Sequence, residues 1–110
     1  MTVDIETVYQ PVVDVETRAV VGFEALTRAP SGVWSSAGAL FHAAERQNLT
    51  VEFDWRCRVT SLRGALAGGF PTGLTLFLNA EPSALDATPP ADAHPVLTAA
   101  RGLSVTCLLY

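Results

Sequence analysis

Three polar residues set in apolar surroundings offer this chain its chemistry: Glu24 and Arg28 within GFEALTR at 22–28, and Asn79 closing LTLFLN at 74–79. A carboxylate among apolar strand residues is costly to bury alone, so Glu24 requires a cation, a hydrogen-bond donor or water. Arg28 lies four residues on, which at a strand's period of two is the same face. A Glu24/Arg28 ion pair, or a Glu24 carboxylate reaching solvent from a strand end, is the plainest reading of the two. For Asn79 the corresponding reading is a turn residue that ends a buried strand. Taken singly, neither residue defines a function.

The elements that must position these groups follow from the apolar pattern. Residues 8–15 and 19–27 are β-branched and apolar runs separated by Glu16, Thr17 and Arg18, which predicts a hairpin whose second strand is the longer. On that second strand Val20, Gly22, Glu24, Leu26 and Arg28 share one face, and Val21, Phe23, Ala25 and Thr27 the other. Both faces are largely apolar, the pattern of a strand buried on both sides. After a Pro/Gly/Ser-rich loop at 30–36, residues 37–48 predict one helix and residues 51–67 another. The second carries an apolar stripe of Val51, Trp55, Val59, Leu62 and Leu66, with Glu52/Arg56 and Asp54/Arg58 at i,i+4. Thr50 is placed to cap it and Gly68-Gly69 to end it. A strand at 74–79, a Pro/Asp-rich loop at 86–95, a short helix at 96–101 and an apolar stretch at 103–110 complete the order. Strand, crossover, strand is the signature of a parallel α/β sheet, and there is no internal repeat.

A chain of 110 residues with 49% hydrophobic and 16% charged content has the size and composition of one small folded domain. Its net charge of -4 and pI near 4.9 disfavour a nucleic-acid backbone or an anionic membrane as partner. A small anionic ligand stays compatible with that charge, because a metal ion or a few local arginines reverse the sign at a site. Cys57 and Cys107 form no CxxC and have no histidine at metal-ligand spacing, so the expectation is a reduced, cytoplasmic setting without a zinc site or disulfide framework. The acidic start MTVDIETVYQ does not read as a signal peptide, and no apolar run approaches the roughly 20 residues of a spanning helix.

In combination, YQP at 9–11, EALTR at 24–28 and LNAEP at 78–82 resemble, in order and spacing, the start of the EAL domain, a bacterial cyclic-di-GMP phosphodiesterase family. LFHAAERQNL at 40–49 and FDWRCR at 53–58 look like that family's first helices, and the likeness is strongest over 9–82. The fold it implies is a TIM-type (β/α) barrel that starts with a β-hairpin, here incomplete, since such a barrel needs about 250 residues. The implied activity is hydrolysis of cyclic di-GMP to linear pGpG, assisted by Mg2+ or Mn2+. By position, Glu24 and Asn79 resemble metal ligands, Gln10 and Arg28 resemble substrate contacts, and Leu26 would line the nucleotide site.

The family's later acidic motifs have no counterparts, and residues 103–110 read LSVTCLLY where the family's third barrel strand would carry a glutamate. A natural short variant and a shortened product of a frame change both give that ending, and truncation of an EAL domain spanning 1–110 is the reading adopted. Two early oxygen ligands do not hold a two-metal site by themselves, so the short form is expected to be inactive. Its uncovered strand edges predict a homo-oligomer or a barrel-completing partner. A non-catalytic cyclic-di-GMP-binding or interaction remnant, and a fragment without function, are the alternatives. Elsewhere, His42 reads as an exposed helix residue and His94 as a solvated loop residue. Trp34 reads as loop packing, Trp55 as helix core, and Cys57 as buried on its helix. Arg56, Arg58 and Arg63 read as a solvated helix face.

Overall fold

The hairpin forms around an aspartate. β1 (Glu6–Val13) and β2 (Val20–Arg28) pair antiparallel, with a register shift at Val12/Val13. The Asp14 carboxylate accepts the backbone N–H groups of Glu16 at 2.8 Å and Thr17 at 3.0 Å, and Arg18 takes φ 62° to complete the reversal. Those two bonds favour the ionised form and hold Asp14 below the usual carboxylate range. The computed structural model describes residues 4–29 and 37–109; the expected loop at 30–36, with Trp34, lies outside the described residues.

Two helices follow, α1 (Ala37–Arg46) and α2 (Thr50–Ala67), and then β3 (Thr75–Ala80), α3 (His94–Ala99) and β4 (Ser104–Leu109). The sheet order is β1-β2-β3-β4, with β2, β3 and β4 mutually parallel. This is the mixed α/β, hairpin-first architecture that the apolar pattern predicts, and the barrel it begins is incomplete. Asn48 turns between α1 and α2 with φ 57°, and Leu49 donates its N–H to the Ala44 carbonyl at 2.8 Å. That tight junction corrects the expected cap: Leu49, not Thr50, occupies the N-cap position, and no side chain caps the helix. At the other end Gly68 is the C-cap and Gly69 takes φ 68°, as Gly68-Gly69 foretold.

Burial is built on both sides of α2. Trp55, Val59, Leu62 and Ala65 pack on Ala25, Leu76 and Leu78 of the sheet and on Ala93, Val96 and Ala100. The opposite flank places Phe53 and Cys57 against Leu40 and Ala44 of α1, with the Phe41 and Phe53 rings edge to face at 4.8 Å. Leu40 and Leu76 have 0% exposure, and burying each stabilises by about 1.5–3 kcal/mol. β2 departs from expectation, since only Gly22 and Ala25 of it are buried: the helices cover the Ala25 face, and on the other face Gly22 lies against Phe77 while Glu24 and Leu26 are half-exposed. His42 is exposed and Trp55 is core, as read, whereas His94 is exposed but begins α3 instead of lying in a loop, because Pro95 suits a first helical turn.

The two thiols differ in environment. Cys57 is 6% exposed and burial pushes its thiol from an ordinary 9.0 up to about 11, while Cys107 is exposed on β4. One thiol is therefore expected to react with a disulfide reagent at pH 8 and the second only after denaturant is added. Between pH 9 and about 11 the unfolded chain releases the Cys57 proton and the folded chain retains it, so stability falls as pH rises through that window. A urea midpoint measured at pH 10 should report a loss on the order of 1 kcal/mol relative to pH 8. Equal labelling of both thiols in the folded chain would show Cys57 to be accessible.

Candidate functional site

Strand alternation sorts the site from the core. Ala25, Leu76, Leu78 and Ala80 are buried, the latter three alternating along β3 with half-buried Phe77 and Asn79. Glu24 stands opposite Phe77 in the parallel β2/β3 register and opposite Gln10 in the antiparallel β1/β2 register, so Gln10, Glu24, Leu26 and Asn79 share the sheet face away from the buried set. Across that face the Asn79 side-chain amide donates to Glu24 Oε2 at 2.9 Å.

This contact overturns two plain readings. Glu24 and Arg28 form no ion pair: four strand residues span about 13 Å, and Arg28 is exposed, its Nη1 donating to the Thr27 carbonyl at 3.2 Å. Nor does Asn79 end its strand, which continues through Ala80. Gln10 and Arg28 sit at the exposed margin, and Leu26 is half-buried beside the pair. A cavity of about 630 Å3 opens at the C-terminal ends of β2 and β3, lined among others by Leu26, Arg28, Arg58, Asn79, Glu81 and Ser83. On β4, Thr106 stands opposite Phe77 and Leu108 opposite Asn79, so a hydroxyl and an alkyl group occupy the positions nearest the pair.

Sequence reasoning missed the support beneath Asn79. Asp54 of α2 has 0% exposure, and its Oδ1 accepts the Glu81 backbone N–H at 2.9 Å. Its other oxygen lies 2.7 Å from Arg58 Nη2, and the Arg58 guanidinium stacks over Trp55 at 3.9 Å. Arg58 therefore does not belong to a solvated face with Arg56 and Arg63; it is 9% exposed because α2 is covered on both flanks. The available signal was a charged i,i+4 pair flanked by Phe53, Trp55 and Cys57, large apolar neighbours unusual on a solvated face. Glu81 in turn accepts from Ser83 N–H at 2.7 Å and from the Ser83 hydroxyl, capping a 3-10 turn at Pro82–Ala84.

Parallel strands whose polar residues gather at their C-terminal ends are the arrangement of a (β/α) barrel site. The family model for the EAL domain matches residues 3–94, and the chain belongs to that family. Among solved structures it is similar to Klebsiella pneumoniae BlrP1 in a calcium and cyclic-di-GMP complex, at 30% identity and TM-score 0.70, over 96% of this chain and 27% of that one. A standalone EAL protein from Vibrio cholerae with cyclic di-GMP bound shares the fold at 22% identity and TM-score 0.63, over 99% of this chain and 46% of that one. So does Bacillus subtilis YkuI in complex with cyclic di-GMP and calcium, at 23% identity and TM-score 0.68, over 96% of this chain and 28% of that one. The chain thus spans under half the length of these relatives. No curated protein gives a match.

The donor set suits a hard divalent cation: a carboxylate and a side-chain amide, both offering oxygen, already adjacent. Among the described residues no group of three or more His, Cys, Asp and Glu converges to hold a metal, so Glu24 and Asn79 are two donors of a larger set. No helix among the described residues is long and apolar enough to cross a membrane.

Proposed function

We propose that this chain contributes the first part of a cyclic-di-GMP site of the phosphodiesterase kind, in which Glu24 and Asn79 hold Mg2+ or Mn2+ and Gln10, Leu26 and Arg28 contact the dinucleotide. The observation that carries the reading is the hydrogen bond from the Asn79 amide to Glu24, which brings a carboxylate and a side-chain amide together on neighbouring parallel strands, with Asn79 lining the cavity. In a site completed by further ligands, Mg2+ or Mn2+ would supply charge neutralisation and a water of lowered pKa for phosphodiester hydrolysis. Arg28, exposed at the end of β2, presents a planar donor fork suited to a phosphate. Leu26 offers apolar surface to a base. The free thiols Cys57 and Cys107 suit a reducing, cytoplasmic setting.

With two oxygen donors and no carboxylate on β4, these residues bind without turnover in our reading. Thermal melts of the chain test it. Cyclic di-GMP with Mn2+ is expected to raise the midpoint, by an increment that grows with ligand concentration, and Glu24→Ala to abolish the shift. Release of linear pGpG by the chain alone would overturn the non-catalytic part; a midpoint indifferent to ligand would overturn the binding part.

A second reading, that the sheet is completed by another chain, rests on β4. All six of its residues are exposed, with Val105 at 39%, Leu108 at 36% and Leu109 at 59%, and it pairs only with β3 on its described side. Uncharged edge strands of this sort accept a further strand. Sedimentation is expected to show self-association that a charge at Val105 disrupts; a monomer at high concentration would exclude a homo-oligomer.

A further inference from the structure

We propose that the buried Asp54–Arg58 pair of α2 is a positioning device for Asn79, acting through the backbone of Glu81. Its bearing on ligand binding rests on the reading of Glu24 and Asn79 as site residues; its geometry does not. Only Ala80, itself at 0% exposure, separates Asn79 from the Glu81 N–H that Asp54 Oδ1 holds at 2.9 Å. The Glu81 side chain is turned the other way, onto Ser83. The loop leaving β3 is thus tied on one side by α2 and on the other by its own turn, and the Asn79 amide is left aimed at Glu24.

The charge state of the tie explains its parts. A neutral acceptor would suffice for one N–H, but a fully buried carboxylate needs a second partner, which Arg58 supplies at 2.7 Å. The guanidinium is in turn fixed by its 3.9 Å stack on Trp55, a core residue. A buried ion pair contributes little net stability compared with apolar residues of the same volume, so its distinctive effect here is direction. It fixes which way the peptide after Ala80 faces. Sites of this kind lose function when supporting contacts let a ligand drift by fractions of an ångström.

Two double variants separate direction from stability. Asp54→Asn/Arg58→Leu removes both charges and keeps an oxygen acceptor for Glu81; Asp54→Leu/Arg58→Leu removes the charges and the acceptor. The first readout is ligand-free NMR: the Asn79 side-chain amide resonances and hydrogen exchange at the Glu81 N–H. The Asn/Leu variant is expected to keep both as in the parent, and the Leu/Leu variant to lose about tenfold in Glu81 protection, the order of one hydrogen bond, with the Asn79 amide moving to solvent-like shifts. Parent-like NMR in Leu/Leu overturns the proposal.

Should Leu/Leu fail to fold, Glu81→Pro deletes the same donor from the other side, at a φ of -79° that proline accepts, and Glu81→Ala, which keeps the N–H and loses only the Ser83 contact, is its control. An undisturbed Asn79 amide in that variant overturns the proposal equally. The second readout is binding of cyclic di-GMP with Mn2+, expected to weaken in Leu/Leu and to hold in Asn/Leu. If the parent chain binds none while the NMR contrast persists, the functional reading fails and the positioning role stands.

Discussion

Gly22→Ala is expected to lower the thermal midpoint by 10 °C or more, taking the upper part of the roughly 1–3 kcal/mol range for overpacking and about 4–8 °C per kcal/mol for a domain of this size. A Cβ at Gly22 would lie 2.1 Å from the Thr75 carbonyl oxygen and 2.8 Å from the Phe77 ring. The ring can move. The carbonyl cannot, because Thr75 is the partner of Gly22 in the parallel β2/β3 register, and moving it opens the pairing that places Glu24 opposite Phe77 and within reach of Asn79. Gly22→Ala should therefore also weaken any binding of cyclic di-GMP with Mn2+. Gly102→Ala is the control: nothing lies within 4 Å of a Cβ there, and its midpoint should be unchanged. A midpoint for Gly22→Ala within 2 °C of the parent would show that β2 and β3 can separate at little cost, contrary to the packing described.

The second large effect is at Asp54. Asp54→Ala leaves Arg58 buried without its counter-charge and the Glu81 N–H without its acceptor. Breaking a buried pair from one side costs about 3–5 kcal/mol, a third or more of the total for many domains, whose net stability is about 5–15 kcal/mol. The variant is expected to melt about 12 °C or more below the parent by circular dichroism. Arg58→Leu, which strands the carboxylate instead, should behave similarly. Asp54→Leu/Arg58→Leu should be more stable than either single change, because no charge is left uncompensated. If Asp54→Ala melts within a few degrees of the parent, water reaches Arg58 and the pair is not the enclosed unit described.

Some of this is legible in the amino-acid sequence and some is not, for reasons that differ by residue. The hairpin was legible because Glu16, Thr17 and Arg18 interrupt two β-branched runs, and turn chemistry is local: Asp14 needs only the next three residues to make its bonds. α2 was legible because Trp55, Val59 and Leu62 recur at helical spacing, and its end because Gly69 accepts a positive φ. Its start was not, since whether Thr50 caps depends on the turn that follows the end of α1 at Arg46, four residues earlier. Glu24, Leu26 and Asn79 could be placed on faces from alternation alone. The partner of Glu24 could not, because a strand's own sequence says nothing of which strand lies beside it.

The amino-acid sequence by itself determined the hairpin, the helix–strand order, the parallel crossover and the family, since each rests on local periodicity or short motifs. Only the tertiary structure decided that Glu24 bonds Asn79 and not Arg28, that Asp54 and Arg58 are buried, and that one face of β2 is left open. Those outcomes depend on contacts between residues 27 to 55 positions apart. Burial and pairing across such separations are set by packing, which no local pattern encodes.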